Sequence, residues 1–282
     1  MFLEVPTMER SVPIRSVSRS IAVLQAINRG DWLTVMEISK AVDLPYPTTF
    51  RIIQTLMHEG LVVCEASCKR YRVTALVQSL AQGYADQGSL VDALRPRMVE
   101  LTRKHSWPIS LTTHVGRSMV VRDSTHSLSS LTFWNYAPGF CLPLLESASG
   151  HAFLAHAPSH KRIALLEGLE AYERRSPLLD MFKSEKLVQN IRDNGYATWE
   201  RNPHAQVPGK TSSIAVPLFD HGEVVGALSL VFFASALPMA EAVRRYADDL
   251  KDAAQRLSDD ALAPPAYMVQ PVPARTAELA MH

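Results

Sequence analysis

Near the start of the chain, apolar residues recur twice at helical spacing and then at strand spacing. Val35, Ile38 and Val42 mark one amphipathic helix. Thr49, Ile52, Ile53 and Leu56 fall at i, i+3, i+4 and i+7 and mark the next. Thr34 and Glu37 form a capping box at the start of the first helix. Asp43-Leu44-Pro45 stops it, because the residue before a proline avoids the helical region. Pro45 and Pro47 suit the start of the second, where a missing N–H costs little, and Gly60 suits its end. Leu61–Val63 and Tyr71–Thr74 are β-type runs around the polar segment Glu65–Arg70. Helix, tight turn, helix and hairpin is the plan of a winged helix-turn-helix, which sets its second helix in the major groove of duplex DNA. The buried stripe leaves Pro47, Thr48, Phe50, Arg51, Gln54 and Thr55 off the core, where base edges and phosphates are met. Lys69, Arg70 and Arg72 put positive charge at or near the tip of the hairpin. Arg15 and Arg19 add two cations at the start of the module.

Beyond Thr74 the period changes again. Residues 1–15 read as a flexible arm, and a helix capped by Ser16 or Ser18 carries Val17, Ile21, Leu24 and Ile27 on one face. This completes a DNA-binding domain over 16–74. Ala75–Ala85 reads as a linker helix within 75–89, broken by Gly88, and Leu90–His105 as a helix with Pro96 inside it. Ile109–Val115, Met119–Arg122 and Leu131–Trp134 read as strands, followed by helices over Ser149–His156, Lys161–Leu169 and Ser184–Asn194. Ser212–Phe219 and Val224–Phe233 are strongly apolar strands, and Met239–Leu257 is an amphipathic helix. The second domain, 90–260, is thus α+β, an antiparallel sheet with helices packed on it. The tail over 261–282, rich in Pro and Ala, reads as disordered.

Composition narrows the function classes. The 282 residues suit two domains, and 47% hydrophobic residues with 20% charged support a packed core. Three cysteines without a Cys-x-x-Cys pair suggest no disulfide framework and fit a cytoplasmic protein. No apolar run is long enough to span a membrane, and no signal-peptide core opens the chain. Residues 1–75 hold nine Lys/Arg against seven Asp/Glu, and the remainder twenty against twenty-one. DNA affinity must then come from a few placed charges, which favours dimers on two half-sites.

Taken in order, these segments resemble the IclR family of bacterial transcriptional regulators over about residues 16–257. The resemblance rests on Ser18–Leu24, Thr34–Ser39, Pro47–Leu56, Glu59–Val62 and Tyr71–Thr74, then on Leu142–Ala155, Asn194–Tyr196 and Ile214–Leu230. Val120–His126, Ser130–Phe133, Leu142–Leu145 and Val231–Ala236 are similar to the MhpR-like branch of hydroxyphenylpropionate catabolism activators. The resemblance implies a winged helix-turn-helix joined to a GAF-like effector-binding domain, homodimers or homotetramers, and small carboxylate or aromatic effectors. RNA polymerase is a further partner if the chain is an activator. Ser229 matches one of two serines that hold small polar acids in some members. Val231 stands where the second would be, which implies a bulkier, more apolar effector.

A carboxylate in an apolar cavity needs an arginine or the N–H groups of a helix start. Arg122 and Arg201 are the arginine candidates, and Ser147, Ser149 and Gly150 open a helix. His126 is a partner for a phenolic hydroxyl, with Phe133, Trp134, Trp199 and Phe232 as possible walls for a ring. Cys64 with Cys68, and His151, His156 and His160, lack metal-site spacing, so no metal or cofactor is expected. With no nucleophile elbow, P-loop or dinucleotide fingerprint, an enzyme is not expected. The function expected is an effector-responsive regulator of a catabolic operon. The alternatives are a regulator whose second domain only oligomerises, and an enzyme with an incidental N-terminal module.

Overall fold

The computed structural model describes residues 14–30, 32–81, 88–132, 136, 138–171, 176–205 and 207–260, apart from the side chains of 81, 88, 89 and 256–260. The chain divides into two compact units, Met1–Asp86 and Gln87–His282.

The first unit holds α1 (Arg15–Arg29), α2 (Val35–Val42), α3 (Tyr46–His58), β1 (Val62–Glu65) and β2 (Arg70–Val73). The capping box of α2 is formed: the Thr34 hydroxyl accepts from the Glu37 amide at 3.3 Å, and Glu37 accepts from the Thr34 amide at 2.8 Å. The Thr34 amide and hydroxyl, both donating to it at 2.8 Å, hold the Glu37 carboxyl below the usual range, Arg70 and Lys40 adding to the effect. Asp43, in the left-handed region, ends α2. At the end of α3, Gly60 has φ of 73°, and Leu61 and Gly60 donate to the Leu56 and Met57 carbonyls. This Schellman closure turns the chain straight into the hairpin. Val23, Ile27, Val35, Ile38, Ile53, Leu56, Val62 and Tyr71 form the core.

Helix α1 departs from expectation. It starts at Arg15, after Ile14, with no side-chain cap from Ser16 or Ser18. Its inward face centres on Val23 and Ile27, while Val17 and Ile21 are exposed. The helix carries apolar residues on two faces, and only the one centred on Val23 meets α2 and α3. After β2, residues Ala75–Ala81 form a 3-10 helix, not the start of an α-helix; the rest of the expected linker helix, 82–87, lies outside the described residues.

The second unit is built on a six-stranded antiparallel sheet. Its strands are β3 (Ile109–Val115), β4 (Ser118–Ser124), β5 (Cys141–Pro143), β6 (Ala197–Trp199), β7 (Thr211–Asp220) and β8 (Glu223–Phe233), in the spatial order β5-β4-β3-β8-β7-β6. Its helices are α4 (Gly88–His105), α5 (Ala148–His156), α6 (Ser159–Glu170), α7 (Pro177–Lys183), α8 (Lys186–Asn194) and α9 (Met239–Asp260). Gly88 opens α4, which runs on through Pro96. Alternation divides the sheet into two faces. Ile109, Leu111, Ile214, Val216, Leu228, Leu230 and Phe232 pack on α4 and α9. Lys104 and His105 of α4 each lie 2.6 Å from the Asp249 carboxylate of α9. The opposite face carries Ala215 and Ala227 against α5, the centre of a second core with Phe153, Leu166, Phe182 and Val188.

Of the third strand expected at Leu131–Trp134, only the first two residues are described. Leu131 and Thr132 are outside any strand, and β5 pairs with β4. Helix α8 starts two residues later than expected because Glu185, with φ of 58°, caps it in the left-handed region. That carboxylate is held by the buried Arg162 at 2.6 and 2.9 Å. Helix α7 and the edge strand β6 were not foreseen.

Candidate nucleic-acid interface and effector cavity

In the first unit, α3 buries Thr49, Ile53 and Leu56 and half-buries Ile52. Pro47, Phe50, Arg51, Gln54 and Thr55 are exposed together on its outer side, and Thr48 is half-buried. The structure adds Tyr46, whose ring stacks on Phe50 at 6.3 Å between centroids. An aromatic pair at i and i+4 is the signal that could have found it. Arg15 and Arg19 are exposed on α1, and Lys69, with φ of 51°, stands at the exposed tip of the β1–β2 hairpin. Arg70 and Arg72 have partners within the module. The Arg70 guanidinium donates to the Trp32 carbonyl at 2.6 Å and lies 3.8 Å from Glu37, and that of Arg72 sits 4.5 Å over the Trp32 ring. They fix the wing against the start of α2, leaving Lys69 as the cation that projects.

In the second unit, a small cavity of about 30 Å³ lies beneath the N-terminus of α5. From α5 it takes Ser147, Ala148 and Ser149, from β3 Ser110 and Thr112, from β7 Thr211 and Ser213, and from β8 Ser229 and Val231. These strand residues share one face, since Ser110 pairs with Ser229 and Ser213 with Val231. Val121, Tyr136, Leu142 and Asn202 complete the wall. Tyr136, Thr211 and Val231 also line an adjoining cleft of about 10 Å³ with Pro108, His126, Leu131, Thr132, Phe232 and Phe233.

Ser147 caps α5: its hydroxyl accepts from the Gly150 amide at 3.1 Å and donates to the Pro143 carbonyl at 2.8 Å. The Ala148 and Ser149 amides have no acceptor within the helix and carry the positive end of its dipole. Ser229 is 6% exposed, and its hydroxyl has no hydrogen-bond partner among the described residues. A buried hydroxyl left so costs roughly 1–3 kcal/mol. Hydroxyl donors and helix amides thus converge on one chamber, an arrangement suited to an anion.

The expected residues separate into two groups. Ser147, Ser149 and Ser229 line the larger cavity, and His126 lines the adjoining one. The His126 Nδ1 is 2.8 Å from the Thr132 hydroxyl, its Nε2 is 3.4 Å from that of Ser110, and its ring faces Tyr136 at 4.7 Å. Gly150 serves packing: a Cβ there would lie 1.9 Å from the Leu144 carbonyl oxygen. Arg122 and Arg201 line neither cavity. Arg122 is the extra residue of a β-bulge, between Val121 opposite Thr112 and Asp123 opposite Leu111. Arg201 is exposed, and only its backbone turns inward, donating to Ser212 at 3.1 Å. Trp199 packs on His151 in the core around α5, and Phe232 meets Trp107 edge-on. Phe133 and Trp134 lie outside the described residues. Among the described residues, no His/Cys/Asp/Glu group has metal-binding geometry, and no helix is long and apolar enough to cross a membrane.

Residues 16–65 match the IclR helix-turn-helix domain, and residues 82–259 match the family described as bacterial transcriptional regulator IclR C-terminal. The chain is 26% identical over 249 residues to the transcriptional regulator KdgR of Escherichia coli (strain K12), covering 87% of this chain and 92% of that one. It is 26% identical over 258 residues to the transcriptional repressor AllR of Salmonella typhimurium, covering 88% and 92%. Among solved structures, the Thermotoga maritima IclR superposes with a TM-score of 0.60 at 20% identity, covering 88% and 99%. An IclR homolog from Microbacterium hydrocarbonoxydans, complexed with 4-hydroxybenzoate, gives 0.61 at 21% identity, covering 88% and 100%.

Proposed function

The chain belongs to the IclR family of bacterial transcriptional regulators, and from that premise we propose that a small aromatic carboxylic acid fills the cavity beneath α5 and controls a catabolic operon. Membership makes it a DNA-binding regulator with a C-terminal ligand-binding domain. The proposal concerns the ligand and the residues that hold it. The observation that carries it is Ser229, a buried hydroxyl without a partner among the described residues, in a chamber that also receives the start of α5. A carboxylate there accepts from Ser229, from Ser149 and from the first amides of α5. Val121, Leu142, Tyr136 and Val231 face the rest of the ligand, and side-chain movement toward the adjoining cleft makes room for an aromatic ring. The complex of the Microbacterium homologue with 4-hydroxybenzoate supports an acid of this class. So does the similarity to the hydroxyphenylpropionate branch. On DNA, Pro47, Thr48, Phe50, Arg51 and Gln54 of α3 meet the major groove, with Lys69, Arg15 and Arg19 on phosphates. Arg70 and Arg72 position the wing. Two or four copies act together, with RNA polymerase as a further partner where the regulator activates.

Calorimetry of the full chain with benzoate, 4-hydroxybenzoate and 3-phenylpropionate tests the ligand assignment. Hydrogen bonds to a charged group contribute roughly 1.5–3 kcal/mol, so Ser229→Ala weakens the acid by about tenfold or more. Removing a hydroxyl that has no partner costs the fold nothing, so Tm should hold or rise. Arg122→Ala and Arg201→Ala should bind the acid as wild type does. Unchanged affinity in Ser229→Ala would refute the assignment of the carboxylate.

A further inference from the structure

We propose that Phe50, held in place by Tyr46, reads the C5-methyl group of one thymine in each operator half-site. The inference rests on α3 being the recognition helix. Phe50 is 36% exposed and Tyr46 47%, and the two rings lie nearly parallel, 11° apart. The inner face of α3 is already taken by Thr49, Ile53 and Leu56, so the pair has no place in the core of the module. Two aromatic rings left in water on the outer face forfeit apolar burial that a partner surface would restore.

The neighbours indicate which surface. Arg51 and Gln54, exposed beside Phe50, are a cation and an amide suited to phosphates and base edges. Of the four DNA bases, only thymine presents an apolar group in the major groove, and phenylalanine is among the side chains that contact it. Phe50 is the fifth residue of α3, within the N-terminal part that reaches base edges when such a helix docks. Tyr46, one turn earlier, restricts the Phe50 ring before DNA arrives, so less side-chain entropy is lost on docking.

The test uses the full chain and duplexes selected by it from a random pool. Each thymine is replaced singly by deoxyuridine, which removes the methyl and keeps the base pair. Burying one methyl is expected to change Kd by about fourfold. Wild type should therefore lose about that much at one thymine in each half-site. Phe50→Ala should bind the thymine and uracil duplexes equally, Phe50→Leu should keep part of the preference, and Tyr46→Ala should reduce it. Both side chains are on the surface, so the fold is kept. Arg51→Ala should weaken both duplexes alike. Wild type indifferent to every replacement, or a penalty that persists in Phe50→Ala, overturns the proposal. If Arg51→Ala and Phe50→Ala both bind as wild type, the placement of α3 on DNA fails as well.

Discussion

Among the described glycines, Gly150 has the closest backbone neighbour. Its backbone passes so close to the Leu144 carbonyl that a Cβ would lie 1.9 Å from the oxygen and 2.7 Å from the carbon. Both are backbone atoms, so no rotamer change relieves the clash. Gly150→Ala should cost at least the roughly 1–3 kcal/mol typical of overpacking. It should appear in urea unfolding as a lower midpoint with an unchanged slope. At this scale the sequence was readable where a residue's role is local. Thr34 with Glu37, Gly60, and Ser147 before α5 all follow from chain neighbours alone. Ser110, Thr112, Thr211 and Ser213 did not, because hydroxyl residues alternating along a strand point into a cavity only once the register is known. Asn202 and Tyr136, placed by loops, carried no periodic signal. Arg122 was drawn toward the site on charge alone, and a bulge that no local pattern announces sets its position.

Around α5 the same logic acts on a whole element. His151 and His156 lie on this helix, and His114 of β3 stacks on its Phe153 at 4.7 Å. Burial pushes all three imidazoles below their ordinary value of 6.5, with Lys161 adding to the effect at His114 and Arg192 at His156. The unfolded chain therefore takes up protons that the folded chain excludes. The stability tied to these residues is complete above about pH 6.5 and is lost as the pH falls below it, through the folded-state values. Differential scanning calorimetry from about pH 7 to pH 5 should show Tm falling, and falling less steeply in the double variant His114→Gln, His156→Gln. Equal slopes would contradict this account of α5. Among elements, β7 and β8 were legible because each is a long apolar run joined by a tight turn. Helix α7 and strand β6, of seven and three residues, are too short to show a period. The inward face of α1 was misjudged because its sequence offers two apolar stripes, and tertiary contact decides between them.

For the whole molecule, two separately packed units carry two chemistries. The first exposes an outer helix face bearing Arg51 and Gln54 and carries a wing pinned by Arg70 and Arg72. The second holds a chamber in which the Ser229 hydroxyl has no hydrogen-bond partner among the described residues. A net charge of +1 gives the chain little general attraction for DNA. The central claim is that the acid and the operator are thermodynamically linked. Coupling of this kind is typically about 1–3 kcal/mol, and it requires the acid to favour one arrangement of the DNA-binding units over another. The direct test is an anisotropy titration of selected operator DNA with the full chain, with and without a saturating aromatic acid. The expected result is an operator Kd shifted by roughly 5- to 150-fold, in either direction, with the acid concentration that gives half the shift raised about tenfold or more in Ser229→Ala. An operator Kd identical with and without the bound acid would contradict it.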